Sequence, residues 1–238
     1  MSEHTPIGLD QQASPVRALT HSGNFHTDET LGYVILHYAL EPEGDLRGRV
    51  LSGGKDGRLA FVRSRNPEDI QAADIVFDVG GEYAPPKGRY DHHMRVKPLR
   101  EDGTTPYSAA GLLWKDYGKA AIRNILGTVL KTPVSEAEVA SIWQTLDKSL
   151  ILPVDLDDNG VAKMGKLSLA DIVSACNPPW DTTELYGVDV AKTKETSGFA
   201  NAASAVAAHL VNSLDRVRAS LKAASRVMEA YAKAEDKR

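Results

Sequence analysis

The sequence predicts an α/β fold: a mostly parallel sheet flanked by helices, with a helical C-terminal segment. Three observations predict it. Short apolar runs end at ligand-type residues, helical-period stretches lie between them, and the pattern changes character near residue 196.

The first run is Val16-Arg17-Ala18-Leu19-Thr20, read as a strand with His21 at its end in the glycine-containing segment His21 to Asp28. The apolar stretch Leu31 to Leu40 then reads as a helix. Between Glu41 and Arg58 lie Gly44, Gly48, Gly53, Gly54 and Gly57 among many charges, the composition of a mobile connection. Leu59 to Val62 is a second strand, and Ile75-Val76-Phe77 a third that runs into Asp78 and then Val79-Gly80-Gly81. Pro85-Pro86-Lys87-Gly88 is a loop that delivers Asp91-His92-His93. Ser108 opens a helix carrying Ala109, Leu112, Leu113 and Trp114. Ser135 and Glu138 form a capping box, and Val139, Ile142, Trp143, Leu146 and Leu150 make a helical stripe before Pro153, so that this helix would aim a loop bearing Asp155 and Asp158. From Ser197 onward Phe199, Ala203, Val206, Leu210, Leu214, Val217, Leu221, Ala224, Met228 and Tyr231 recur every three or four residues, as in one long or two shorter amphipathic helices whose default role is core packing.

In open α/β sheets, residues just past the carboxyl ends of the strands gather in one crevice. His21, Asp28, Asp78 and Asp91 are therefore expected to share a site, and with His26, His92 and one of Asp155 or Asp158 they read as a two-metal centre. Imidazole mixed with carboxylate suits manganese, zinc or iron, whereas magnesium is usually held by carboxylates and water. Two such ions about 3.5 to 4 Å apart activate a water and stabilise the leaving oxygen of a phosphoryl group. Asp78 is the expected bridge between them. Asp91 either orients His92 or caps the segment that follows. Arg63 and Arg65 either contact phosphate or form a solvated strand face, and Arg95, Lys97 and Arg100 are a basic run that serves phosphate or is plain surface. Ser108 suits a phosphate at a helix N-terminus, or is simply an N-cap. His4, His37 and His209 lack supporting context, and Cys176 reads as a packed thiol.

Composition bounds the rest. A chain of 238 residues with 42% hydrophobic and 25% charged residues is ordinary globular material, large enough to bury a core. A single cysteine excludes a disulfide scaffold and a cysteine-bound structural zinc. Residues 1 to 15 are polar and carry no apolar core of a signal peptide, and there is no 18-residue apolar run, so the expectation is a cytoplasmic or otherwise intracellular protein without membrane contact. The sequence is silent on oligomeric state. A net charge of -4 gives no global attraction to nucleic acid.

Six segments carry a resemblance: His-Ser-Gly-Asn-Phe-His-Thr-Asp-Glu at 21–29, Val-Arg-Ser-Arg-Asn-Pro-Glu at 62–68, Asp-Ile-Val-Phe-Asp-Val-Gly-Gly-Glu-Tyr at 74–83, Arg-Tyr-Asp-His-His at 89–93, Ser-Ala-Ala-Gly-Leu at 108–112 and Val-Asp-Leu-Asp-Asp-Asn-Gly at 154–160. In this order they resemble the motifs of the MYG exonuclease family, within the DHH phosphoesterase superfamily. The resemblance implies His21 and His26 as ligands of one metal, Asp28 and His92 of a second, Asp78 of both, and His93 against substrate or a neighbour. It implies a DHH-type domain over 16–195, after a flexible 1–15, with 196–238 as the connector to a second domain. It implies two divalent ions, manganese first with magnesium, zinc or iron as alternatives, and 3′-to-5′ exonuclease action on RNA or short oligonucleotides. A pyrophosphatase or nucleotide phosphohydrolase is the neighbouring enzyme reading. A metal- or RNA-binding module without turnover is the reading from another class.

Overall fold

The computed structural model describes residues 6–9, 15–41, 44–47, 57–163, 165 and 168–234. Most of the expected N-terminal tail and of the glycine-rich connection before Arg58 lies outside the described residues.

Among the described residues five strands form one sheet: β1 (Val16–Thr20), β2 (Leu59–Arg63), β3 (Ile75–Phe77), β4 (Tyr83–Ala84) and β5 (Arg89–Tyr90). Their order is β2-β1-β3-β5-β4, with every pairing parallel except the edge pair β4–β5. Parallel strands covered on both faces read as near-continuous apolar runs, and β3 and all of β1 but Arg17 are indeed buried. Pro85–Lys87 turns tightly between β4 and β5, and Gly88 closes that turn in the left-handed region at φ 69°.

The central helix is α1 (Thr27–Leu40), in which every residue but His37 is buried. After it come α2 (Pro67–Ala72), α3 (Ala109–Asn124), α4 (Glu136–Leu146), α5 (Leu152–Asp158), α6 (Leu169–Ser174), α7 (Thr182–Tyr186) and α8 (Val188–Lys233). α1 packs chiefly on α3 and also against α8, so its apolar surface is used on several sides. Ser108 caps α3 by accepting from Gly111 N, and Ser135 and Glu138 form the expected capping box of α4.

The helical path does not stop before Pro153. A π-helical turn, Asp147–Ile151, joins α4 to α5, and Pro153 falls in the first turn of α5. Asp155 and Asp158 thus stand on a helix rather than in a loop. At 46 residues, α8 is one continuous helix. Phe199, Ala203, Val206, Leu210 and Leu214 are buried against the core, while Met228 and Tyr231 are exposed. Core packing accounts for the first half of that apolar stripe. No helix among the described residues is long and apolar enough to cross a membrane.

Candidate metal centre

Parallel pairing brings the carboxyl ends of β1, β3 and β5 to one edge, and each ends one residue before a site residue: Thr20 before His21, Phe77 before Asp78, Tyr90 before Asp91. The N-terminus of α1 adds His26, Asp28 and Glu29, and the C-terminus of α5 adds Asp158. Asp78 adopts φ 56°, a left-handed conformation that an L residue rarely takes but that Asp tolerates better than most.

The side chains converge. His21 Nε2 lies 3.1 Å from Glu29 Oε1 and 3.2 Å from Asp78 Oδ2. His92 Nε2 lies 3.3 Å from Asp78 Oδ1, 3.3 Å from Asp158 Oδ2 and 3.8 Å from Asp28 Oδ2. Among the described residues four overlapping sets of donor atoms each fall within 4.8 Å: His21, His26, Glu29; Asp28, Glu29, Asp78; Asp28, His92, Asp158; and Asp78, His92, His93. Asp78 therefore stands between the His21 half and the His92 half.

Asp28, Glu29 and Asp78 are buried, and among the described residues both Asp28 oxygens and Glu29 Oε2 have no hydrogen-bond partner. Buried carboxylates without a partner are strongly unfavourable unless a cation compensates them. Burial, then the charges of Asp78, Asp158 and Glu29, push the Asp28 carboxyl well above its usual range. Burial raises Asp158 as well. Burial would pull His21 down, but hydrogen bonds to Asp78 and Glu29 outweigh it and raise the imidazole to about 9. Burial would likewise push Asp78 up, yet hydrogen bonds with His21 and His92 bring it to about 2. These residues fit divalent cations: hard oxygen donors with imidazole, orphaned acceptors pointing inward, and ligand atoms spaced for coordination.

Asp91 receives hydrogen bonds from the backbone N–H groups of Gly81 at 2.5 Å, His92 at 2.7 Å and His93 at 3.0 Å, and lies 2.8 Å from His93 Nδ1. It fixes the loop and the ring of His93 rather than the ring of His92. Since a carboxylate only accepts, the His93 proton sits on Nδ1 and its Nε2 is left for other partners.

Asp155 faces elsewhere. It accepts from Ser108 N at 2.9 Å, from Ser108 Oγ at 2.7 Å and from Arg100, which also pairs with Asp147. Arg100 and Ser108 are thereby occupied with structure. Arg63 pairs with Glu195 at 2.8 Å and donates to Gly23 O at 2.7 Å, while Arg65 donates to Ser22 O at 3.0 Å. Arg95 is exposed and Lys97 donates to Asn159 at 2.6 Å. The cluster floors a cavity of about 940 Å³ whose walls include Arg65, Lys97 and Lys163 but neither Arg63, Arg95 nor Ser108. Sequence reasoning missed Glu29, which reads as a helix-capping residue and does accept from His26 N at 2.8 Å. Its adjacency to Asp28 in the first turn of α1 is the signal that could have found it.

Fold and cluster together define a parallel α/β protein with a histidine–carboxylate centre of metal-binding type at the carboxyl edge of its sheet. The chain belongs to the MYG1 family: the MYG1 exonuclease family model, described as an uncharacterised protein family (UPF0160), matches residues 17–238. MYG1 protein YER156C of Saccharomyces cerevisiae is 34% identical over 178 residues, covering 68% of this chain and 47% of that protein. The MYG1 exonuclease of Homo sapiens is 30% identical over 183 residues, 71% of this chain and 44% of its own length. That of Rattus norvegicus is 32% identical over 187 residues, 71% and 43%. The matched region is thus under half of each relative. No solved structure matches the chain.

Proposed function

We propose that this chain carries the hydrolytic centre of a metal-dependent phosphodiesterase of DHH type, acting as a 3′-to-5′ exonuclease on RNA or short oligonucleotides. The observation that carries it is the convergence of Asp28, Glu29, Asp78, His92 and Asp158 with buried, unpartnered oxygens, in a chain whose relatives are named exonucleases. His21, His26 and Glu29 would hold one divalent ion, Asp28, His92 and Asp158 the other, with Asp78 facing both. Asp158 takes the ligand position that Asp155, committed to Arg100 and Ser108, does not.

Bound ions would neutralise charge on a phosphoryl group and make a water more acidic. The chain's own residues do the rest. His93, its Nδ1 proton held by Asp91, presents Nε2 to substrate at the rim and can pass a proton to or from an oxygen there. Lys97, Lys163 and Arg65 line the cavity and would hold flanking phosphates. Asp28, in the first turn of buried α1, and Asp78, directly after buried β3, are placed by those elements and so fix the geometry. In this reading residues 16–195, with the core-packed first half of α8, are the hydrolytic unit, and the remainder of that helix leads to a further one.

The test uses metal-stripped chain, resupplied with manganese, magnesium or zinc, on a short RNA labelled at either end. Release of mononucleotides from the 3′ end only with metal is expected, with manganese most effective. If pyrophosphate is cleaved and RNA is not, the neighbouring nucleotide phosphohydrolase reading replaces this one. If metal binds and nothing is cleaved, the chain alone is a binding module.

A further inference from the structure

A second cavity of about 840 Å³ lies on the far side of the Ser22–Gly23 loop, between β2, α1 and α8. Its walls follow from strand periodicity: Leu59, Phe61 and Arg63 alternate onto one face of β2, and all three line it. β2 is an edge strand of the sheet. Phe61 presents an accessible, half-buried ring. Behind it, Phe199 stacks at 5.4 Å and 23°, and the Tyr33 ring centre is 4.3 Å away.

Cations surround this aromatic floor. Arg63, Arg65 and Lys192 line the cavity against one acid, Glu195, leaving an excess of positive charge in a chain that is negative overall. Arg63 lies 4.7 Å over the Phe199 ring and is only 10% exposed, so it belongs to the floor. Arg65 lines both this cavity and the one above the metal centre, and Ser22 and Gly23 directly follow His21. The two spaces therefore share a wall one or two residues from a metal-type ligand.

We propose that this cavity binds the nucleobase of the nucleotide whose sugar and phosphate sit at the metal centre, the base stacking on Phe61 and Arg65 spanning the two spaces. Flat aromatic ligands with an anionic end match an aromatic floor rimmed by guanidinium and ammonium groups; bases stack on such rings with little regard to sequence. The volume falls in the range of small-ligand pockets. The inference rests on the phosphodiesterase reading for the phosphate, but not for the base.

Calorimetry on the full chain with magnesium would compare adenosine 5′-monophosphate, ribose 5-phosphate and adenosine. Carbon-edited spectra of labelled phenylalanine would follow Phe61. The monophosphate should bind at least 10-fold tighter than ribose 5-phosphate and move the Phe61 resonances. Thr196→Trp, on the exposed rim of α8, should fill the cavity and erase that difference while leaving ribose 5-phosphate affinity unchanged; Phe61→Leu should reduce it. Equal affinity for the two phosphates, or a preference that survives Thr196→Trp, overturns the base site and leaves the metal centre untouched. Adenosine that shifts Phe61 while phosphate adds nothing supports the base site and counts against the phosphodiesterase reading instead.

Discussion

Asp78 shows how one residue sets both geometry and charge. Its left-handed backbone swings the carboxylate back between His21 and His92, and Asn tolerates that conformation at least as well. Asp78→Asn therefore removes charge while keeping the backbone, and we expect at least a 100-fold loss of hydrolysis, measured as kcat/KM on a short oligonucleotide. Asp155 and Asp158 should separate cleanly. Asp158→Asn should weaken metal binding with little change in thermal stability. Asp155→Ala should leave Arg100 and Ser108 without their buried partner, a loss of about 3 kcal/mol or more read by denaturant titration, with metal affinity kept. His21 gives a pH dependence of two opposite signs. Its folded pKa of about 9 exceeds the unfolded 6.5, so its stabilising contribution to the metal-free chain is complete below pH 6.5 and is lost as pH rises through 9. Metal must displace that same proton, so calorimetric metal affinity should rise over this window, by up to about tenfold per pH unit. The series His21, His26, Asp28, Asp78, His92 was legible because each residue sits beside a strand-like run or a helix start. The choice between Asp155 and Asp158 was not, because three residues apart they read as sharing one helical face, whereas Arg100 and Ser108, distant in sequence, hold Asp155 away from the cluster.

At the scale of elements, the close approach of α3 to α5 has a sharp test. Ala in place of Gly inside a helix ordinarily gains about 1 kcal/mol. A Cβ at Gly111 would run into the carboxylate of Asp155, so Gly111→Ala should instead lower the melting temperature, by several degrees in calorimetry. An increase would mean that α5 yields readily. The strands β1, β2 and β3, the two serine caps and the α8 stripe were all readable from local pattern, since each depends on neighbours in sequence. The strand order was not, nor the passage of the helix through Pro153. Those depend on long-range pairing and on a π turn that shifts the proline into a first-turn position.

Across the whole molecule, the buried acids make the metal-free chain its own weakest form. Saturating a site at 100 times its Kd adds about 2.7 kcal/mol, so manganese should raise Tm by roughly 5 to 10 °C. A Tm insensitive to every divalent ion would argue that the acids are compensated otherwise. Oligonucleotide binding should weaken with salt through Lys97, Lys163 and Arg65. Replacing any one of these three by Ala should make the log–log slope shallower by about 0.7, whereas replacing Arg95 should leave it unchanged. One further consequence concerns synthesis. Glu195 of α8 accepts from Gly23 N at 2.8 Å and from Arg63 at 2.8 Å, clamping the loop beside His21. A ribosome makes the chain from its N-terminus, so the loop beside His21 must wait for a residue 172 positions beyond Gly23 before it is fastened. Pairings of such separation form slowly. The loop beside His21 is thus fastened only late in synthesis, by the same helix whose Phe199 to Leu214 complete the core.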